Sequence, residues 1–144
     1  MWPRPFARIW ARQYPQLFDA GDLRIAFTQP SKHFCEWFIA IHLYHRDGAH
    51  SLVEKYAYSN HRRKQERLDQ LLTSAQRTIL RTFRSSFKVQ PPDLLVFLPK
   101  SRRFWFAEVK GPGDRLTTRH RRSHETLSQL FGVKVEIYKV CTGV

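Results

Sequence analysis

Acidic residues are scarce in this sequence. Twelve Asp and Glu stand against 25 Lys and Arg in 144 residues, a formal charge of +13 at neutral pH. That excess attracts polyanions through long-range steering and counterion release, so nucleic acid is the first partner it implies. A membrane surface is the rival. No apolar run approaches the roughly 20 residues of a spanning helix, and no secretory apolar region is present, so a soluble chain without a membrane partner is expected. Cysteine is also rare. Cys35 and Cys141 are the only two, which supplies neither a disulfide framework nor a zinc ligand set. No acid precedes Asp19, and the start Met1-Trp2-Pro3-Arg4-Pro5-Phe6 is basic. Its prolines and its lack of serine argue against an organellar transit peptide. A cytoplasmic setting is expected, nucleoid-associated in a bacterium, with nuclear or organellar settings left open. Repeats and low-complexity tracts are absent too, and the length suits one domain that buries roughly 70% of its unfolded surface.

What the chain does have is a compact group of acids and a lysine. Pro92-Asp93-Leu94-Leu95-Val96-Phe97 and Phe104-Trp105-Phe106-Ala107-Glu108-Val109-Lys110 read as two strands joined by a short turn. Residues alternate faces along a strand, so Glu108 and Lys110 project together while Val109 points the other way. If Leu98 faces Arg103 across the turn, Asp93 falls opposite Glu108. Two carboxylates at that distance repel unless a cation lies between them, and hard oxygen ligands suit Mg²⁺ or Mn²⁺. The bland alternative is a surface ion pair at a sheet edge, which describes most Glu-x-Lys tripeptides. The neighbouring Asp93, the Gly111-Pro112-Gly113 turn and the basic chain outweigh it.

The pattern Pro92-Asp93, a strand pair, Glu108-Val109-Lys110 and then Gly111-Pro112-Gly113-Asp114-Arg115-Leu116-Thr117 resembles the PD-(D/E)XK nuclease superfamily. Within it, the chain resembles the VRR-NUC (virus-type replication-repair nuclease) domain. The match is good over residues 91 to 140 and loose over 31 to 58. The resemblance implies a restriction-endonuclease-like α/β core, a mixed sheet of about four strands flanked by helices, and metal-dependent hydrolysis of DNA. It further implies that Asp93, Glu108 and the Val109 carbonyl hold the metal and that Lys110 orients or activates the water. Glu36 matches the glutamate that family members carry on the helix before the first strand, with Glu54 as runner-up. His120 stands where the family usually has glutamine, and Pro91 where many members have glycine. Small stand-alone members resemble junction resolvases that act as two-fold dimers, so a homodimer is expected by resemblance.

The rest of the chain organises around this site. Residues 1–30 form an N-terminal extension with a short helix around Phe6 to Tyr14, and 31–144 form the nuclease-like domain. Ser31 suits an N-cap for a helix that ends at Gly48. His50 to Tyr58 alternates as a strand beside the hairpin. From Asn60 to Phe83 one long amphipathic helix is expected, with Leu68, Leu72, Ile79 and Phe83 inward and Arg62, Arg63, Lys64, Arg67, Arg77 and Arg81 outward. A helix from about Thr117 to Leu130 then leads to a strand, Val133 to Val140, parallel to the Glu108 strand.

Several basic groups have two readings. Arg62, Arg63 and Lys64 are phosphate contacts or a solvated helix face. Arg115 holds the scissile phosphate or ties the turn to the following helix, with structure slightly favoured. Arg119, His120, Arg121, Arg122 and His124 form a patch against the sugar-phosphate backbone or an exposed face; no third ligand completes a zinc site. Phe6, Trp10, Tyr14 and Trp2 cover the sheet, form a dimer surface or wedge into a distorted duplex. The sequence favours a DNA nuclease acting on structured or branched substrates. A non-catalytic nucleic-acid-binding protein on the same scaffold, and an RNA-cleaving toxin or defence effector, remain the alternatives, since phosphate-directed chemistry scarcely separates DNA from RNA.

Overall fold

The apolar runs Leu94–Phe97 and Phe104–Ala107 form the two central strands of a sheet that carries helices on both faces. The structure is a computed structural model that describes residues 4–29 and 33–140. Trp2, Ser31 and Cys141 lie outside the described residues. Strands β1 (His50–Leu52), β2 (Leu94–Phe97), β3 (Phe104–Lys110) and β4 (Val135–Lys139) form one mixed sheet in the order β1-β2-β3-β4. The first three run antiparallel, and β4 lies parallel to β3. The β2–β3 register pairs Leu94 with Ala107 and Phe97 with Phe104, and Leu98 N–H donates to the Arg103 carbonyl at 3.0 Å. The expected hairpin register is therefore the observed one.

Strand alternation divides the core in two. Leu94, Val96, Trp105, Ala107 and Val109 face helices α1 (Arg4–Gln13), α2 (Ala20–Thr28) and α3 (Phe34–Asp47), where Trp37, Ala40 and Leu43 are buried. Leu95, Phe97 and Phe106 face α4 (Arg62–Leu71), α5 (Ser74–Arg81), α6 (Phe83–Phe87) and α7 (Thr118–Phe131). β2 is buried along its whole length because both faces are covered.

Three expectations are corrected. The strand expected over 50 to 58 ends at Leu52, because Glu54 and Lys55 adopt left-handed backbone with φ of 42° and 55°. The chain bends there so that Glu54 and Tyr56 turn inward, and the Tyr56 hydroxyl donates to the Pro92 carbonyl at 2.7 Å. The single long helix over 60 to 83 is instead α4 and α5, with α6 following. Leu72 is extended, and Thr73 opens a new helix with a reciprocal cap, its hydroxyl on the Gln76 N–H and the Gln76 side chain on its own N–H. The helix read from Ser31 begins at Phe34, preceded by His33 in left-handed backbone at φ 74°.

Candidate metal centre

The start of β2, the end of β3 and the first turn of α3 converge at one end of the sheet. The register next to the Leu94–Ala107 pair sets Asp93 beside Glu108. The Val109 N–H donates to Asp93 Oδ2 at 2.8 Å. Phe106 N–H and Lys110 C=O bond toward β4, so the N–H and C=O of Val109 both point the other way, toward Asp93. Because β2 begins only at Leu94, that carbonyl lies on the flank where the carboxylates gather.

Glu36 closes the group from α3. Asp93 is near enough to Glu36, and Glu108 to Asp93, for each acid to act on its neighbour. Burial, followed by the Glu108 hydrogen bond and charge, pushes the Asp93 carboxyl well above the usual carboxylate range. Burial also raises Glu36, and the nearby Asp93 charge adds to that rise. Neighbouring buried carboxylates repel one another when ionised. A divalent cation with oxygen preference offsets that repulsion, so the donor chemistry fits Mg²⁺ or Mn²⁺.

Two histidines that sequence reasoning did not place here flank the acids. His124 Nε2 lies 3.0 Å from Glu108 Oε2, with both residues buried. The reading of His124 as part of a surface patch is therefore corrected. It falls on the inward stripe of α7 with Leu127 and Phe131, three and seven residues on, a spacing visible in the sequence. Desolvation and the Lys110 charge hold its pKa below the ordinary histidine value. His33 Nδ1 stands 3.0 Å from Glu36 Oε2 and 2.9 Å from Glu54 Oε2. Burial opposes its charge, yet hydrogen bonds to Glu36 and Glu54 outweigh burial and push its pKa up to about 10. Nothing in the sequence singled out His33, because its role depends on the bend at Glu54.

Glu54 is buried, accepts from the Trp37 indole at 2.9 Å and pairs with His33. Among the described residues, His33, Glu36 and Glu54 are the group of metal-ligand types whose donor atoms all lie within 4.8 Å of one another, and Glu36 is also the neighbour of Asp93. A cleft of about 280 Å³ opens between His33, Glu54, Tyr58, Pro92 and Asp93.

The remaining candidates divide by burial. Lys110 closes β3 on the Glu108 face, and its charge lowers the pKa of His120 after desolvation has done so. His120 Nδ1 is 2.5 Å from Thr117 Oγ1. The turn before α7 is held by Asp114, whose carboxylate accepts from Gly111 N–H at 2.9 Å, and by Gly113 at φ 83°, a conformation that suits glycine. Lys110, Arg115 and Arg121 line a groove of about 590 Å³ that runs to β4, while Arg119 and Arg122 are exposed on α7.

Arg62 is also exposed and pairs with Glu66 at 2.6 Å. Lys64 is not a phosphate contact: it is buried and ion-paired with Asp22 of α2, and its ammonium also reaches the Glu54 carbonyl at 3.3 Å. Arg63 is likewise drawn inward, to Asp19 at 3.1 Å and to the carbonyls of Gln16 and Leu17. Both corrections share one cause. The acids that receive these cations lie on an element about forty residues earlier, which helical periodicity does not reveal.

The sequence profile of the VRR-NUC domain matches residues 39–142. Among solved structures, the chain is similar to paFAN1 in a crystal structure bound to a two-nucleotide 5′-flap DNA with a gap. The identity is 25% and the TM-score 0.40, over 58% of this chain and 16% of that one. This chain thus spans a small part of that protein's length. No curated protein matches.

Proposed function

The chain belongs to the VRR-NUC domain family, and from that premise we propose that it is a Mg²⁺- or Mn²⁺-dependent nuclease that cleaves DNA within structured or branched substrates. The observation that carries the proposal is the β2–β3 register, which sets Asp93 beside Glu108 on the face that also bears Lys110, with Glu36 of α3 as the neighbour of Asp93. The +13 charge and the groove between Lys110, Arg115 and Arg121 support a polyanionic substrate.

Asp93, Glu108, Glu36 and the Val109 carbonyl would hold the ion. When bound, it supplies Lewis acidity at the phosphoryl oxygens and acidifies water for attack. The chain's own groups supply orientation. Asp93 is fixed by the Val109 N–H, and Glu108 by His124, so neither carboxylate has to reorganise when substrate arrives. Lys110, on the Glu108 face, directs its ammonium to the attacking water or to a nonbridging phosphate oxygen. Thr117 orients His120 at the mouth of the site. Arg115, Arg119 and Arg122 hold flanking phosphates, and exposed Arg62 adds a weaker contact further out.

End-labelled duplex, single-stranded, flap, four-way and RNA substrates, incubated with Mg²⁺, Mn²⁺ or EDTA, test this reading. Internal cuts in branched DNA that vanish with EDTA, with Asp93→Ala and with Lys110→Ala are the expected result. Tight binding without cutting, or cleavage of RNA alone, refutes it.

A further inference from the structure

Outside the family match, α1 presents a surface that the nuclease site does not use. We propose that α1 and the start of α3 form a stacking platform for unpaired DNA leaving the site. Four rings form a continuous row across the two helices. Phe6 and Trp10 lie 5.9 Å apart, Trp10 and Phe34 are stacked at 5.4 Å with 23° between planes, and Phe34 and Phe38 follow at 6.3 Å. The ends of the row face solvent: Phe6 is 46% exposed and Phe38 45%. Trp10 and Phe34 pack against the core, while the two end rings keep nearly half of their surface open to a ligand.

Charge selects the occupant. α1 contains Arg4, Arg8 and Arg12 and no acid. Arg8 and Arg12 are exposed, and Arg8 also packs over the Phe27 ring at 5.6 Å. A second copy docking through this face in a two-fold manner would set these arginines against the same residues of its partner. A single strand instead offers phosphates to the arginines and base faces to the rings, the combination that sequence-tolerant single-strand binding uses. Phe34, inside the row, adjoins His33 at the rim of the acid cleft, so the row passes beside the point where a strand would emerge.

That direction rests on the nuclease reading, but binding does not require cleavage. The test is fluorescence anisotropy in EDTA with a labelled oligo-dT of about 12 nucleotides and a blunt duplex of equal length. Phe6→Ala and Phe38→Ala, both at exposed positions, are each expected to weaken dT binding about tenfold while duplex binding stays within about twofold. Trp10→Phe keeps a ring, so it is expected to retain dT affinity and to lose part of the tryptophan quenching seen with wild type. Unchanged dT affinity in both alanine variants, or equal loss for dT and duplex, overturns the platform. So does a wild-type dimer in sedimentation that the alanine variants dissociate. A protein that binds dT in this way but never cuts leaves the platform standing and removes only the nuclease reading.

Discussion

His124 Nε2 and Glu108 Oε2 are 3.0 Å apart inside the structure, one on α7 and the other on the central strand β3. A neutral imidazole donating to a carboxylate fixes the rotamer of the carboxylate and leaves its other oxygen for a ligand. His124 is therefore a positioning residue. Replacing it with alanine is expected to lower metal affinity or activity by about 10- to 100-fold. The Mn²⁺ concentration needed for half-maximal cleavage should rise more than the maximal rate falls, and His124→Gln, which retains a donor, should recover part of the loss.

Asp93 gives a prediction of opposite sign for stability and activity. Its folded pKa lies above its unfolded value, so the folded state binds more protons and loses stability as pH rises from about 4 through the raised pKa. Asp93→Asn can still accept the Val109 N–H and removes the repulsion. Without metal, the variant is expected to melt about 2–4 °C higher than wild type at pH 8, the equivalent of about 1 kcal/mol. It should also lose cleavage and the stabilisation that Mn²⁺ gives to wild type. Differential scanning calorimetry with and without Mn²⁺ measures both.

Lys64 is expected to matter for folding and not for DNA. Lys64→Met leaves buried Asp22 with only the longer Arg63 pair at 4.0 Å and is expected to cost about 3 kcal/mol in urea unfolding. Lys64→Met combined with Asp22→Leu should recover most of that loss. The salt dependence of DNA binding in the double variant should equal that of wild type, since no phosphate contact has been removed.

Desolvation, and after it the Lys110 charge, lowers the pKa of His120 from the ordinary histidine value. Protonation at lower pH would add a cation beside Lys110 and alter the placement of both. His120→Gln is therefore expected to match wild type above about pH 7 and to retain more activity below about pH 6. Identical pH–rate profiles would remove this role.

The sequence carried the strand-borne half of the site. Period-two alternation and one short turn are enough to place Asp93 against Glu108, because register follows directly from the loop. Glu36 was legible only through family resemblance, since helical periodicity places it near the core face without naming a partner. His33, Glu54 and Lys64 were harder to read because each depends on contacts between distant segments. The bend at Glu54 is held by Trp37 of α3, by His33 just before that helix and by the bond from Tyr56 to Pro92, none of which has a local signature. The break at Leu72 was readable, since Thr73 and Gln76 form the spacing of a capping box. The strong apolar stripe across that segment concealed it.

Cleavage by this site requires a cation in the space between the carboxylates of Asp93 and Glu108. Crystals soaked in Mn²⁺ and measured for anomalous scattering test this directly. A peak within about 2.5 Å of oxygens from Asp93 and Glu108, with Glu36 or the Val109 carbonyl completing the set, is the expected result. No peak there, or one held only by His33, Glu36 and Glu54, would contradict it.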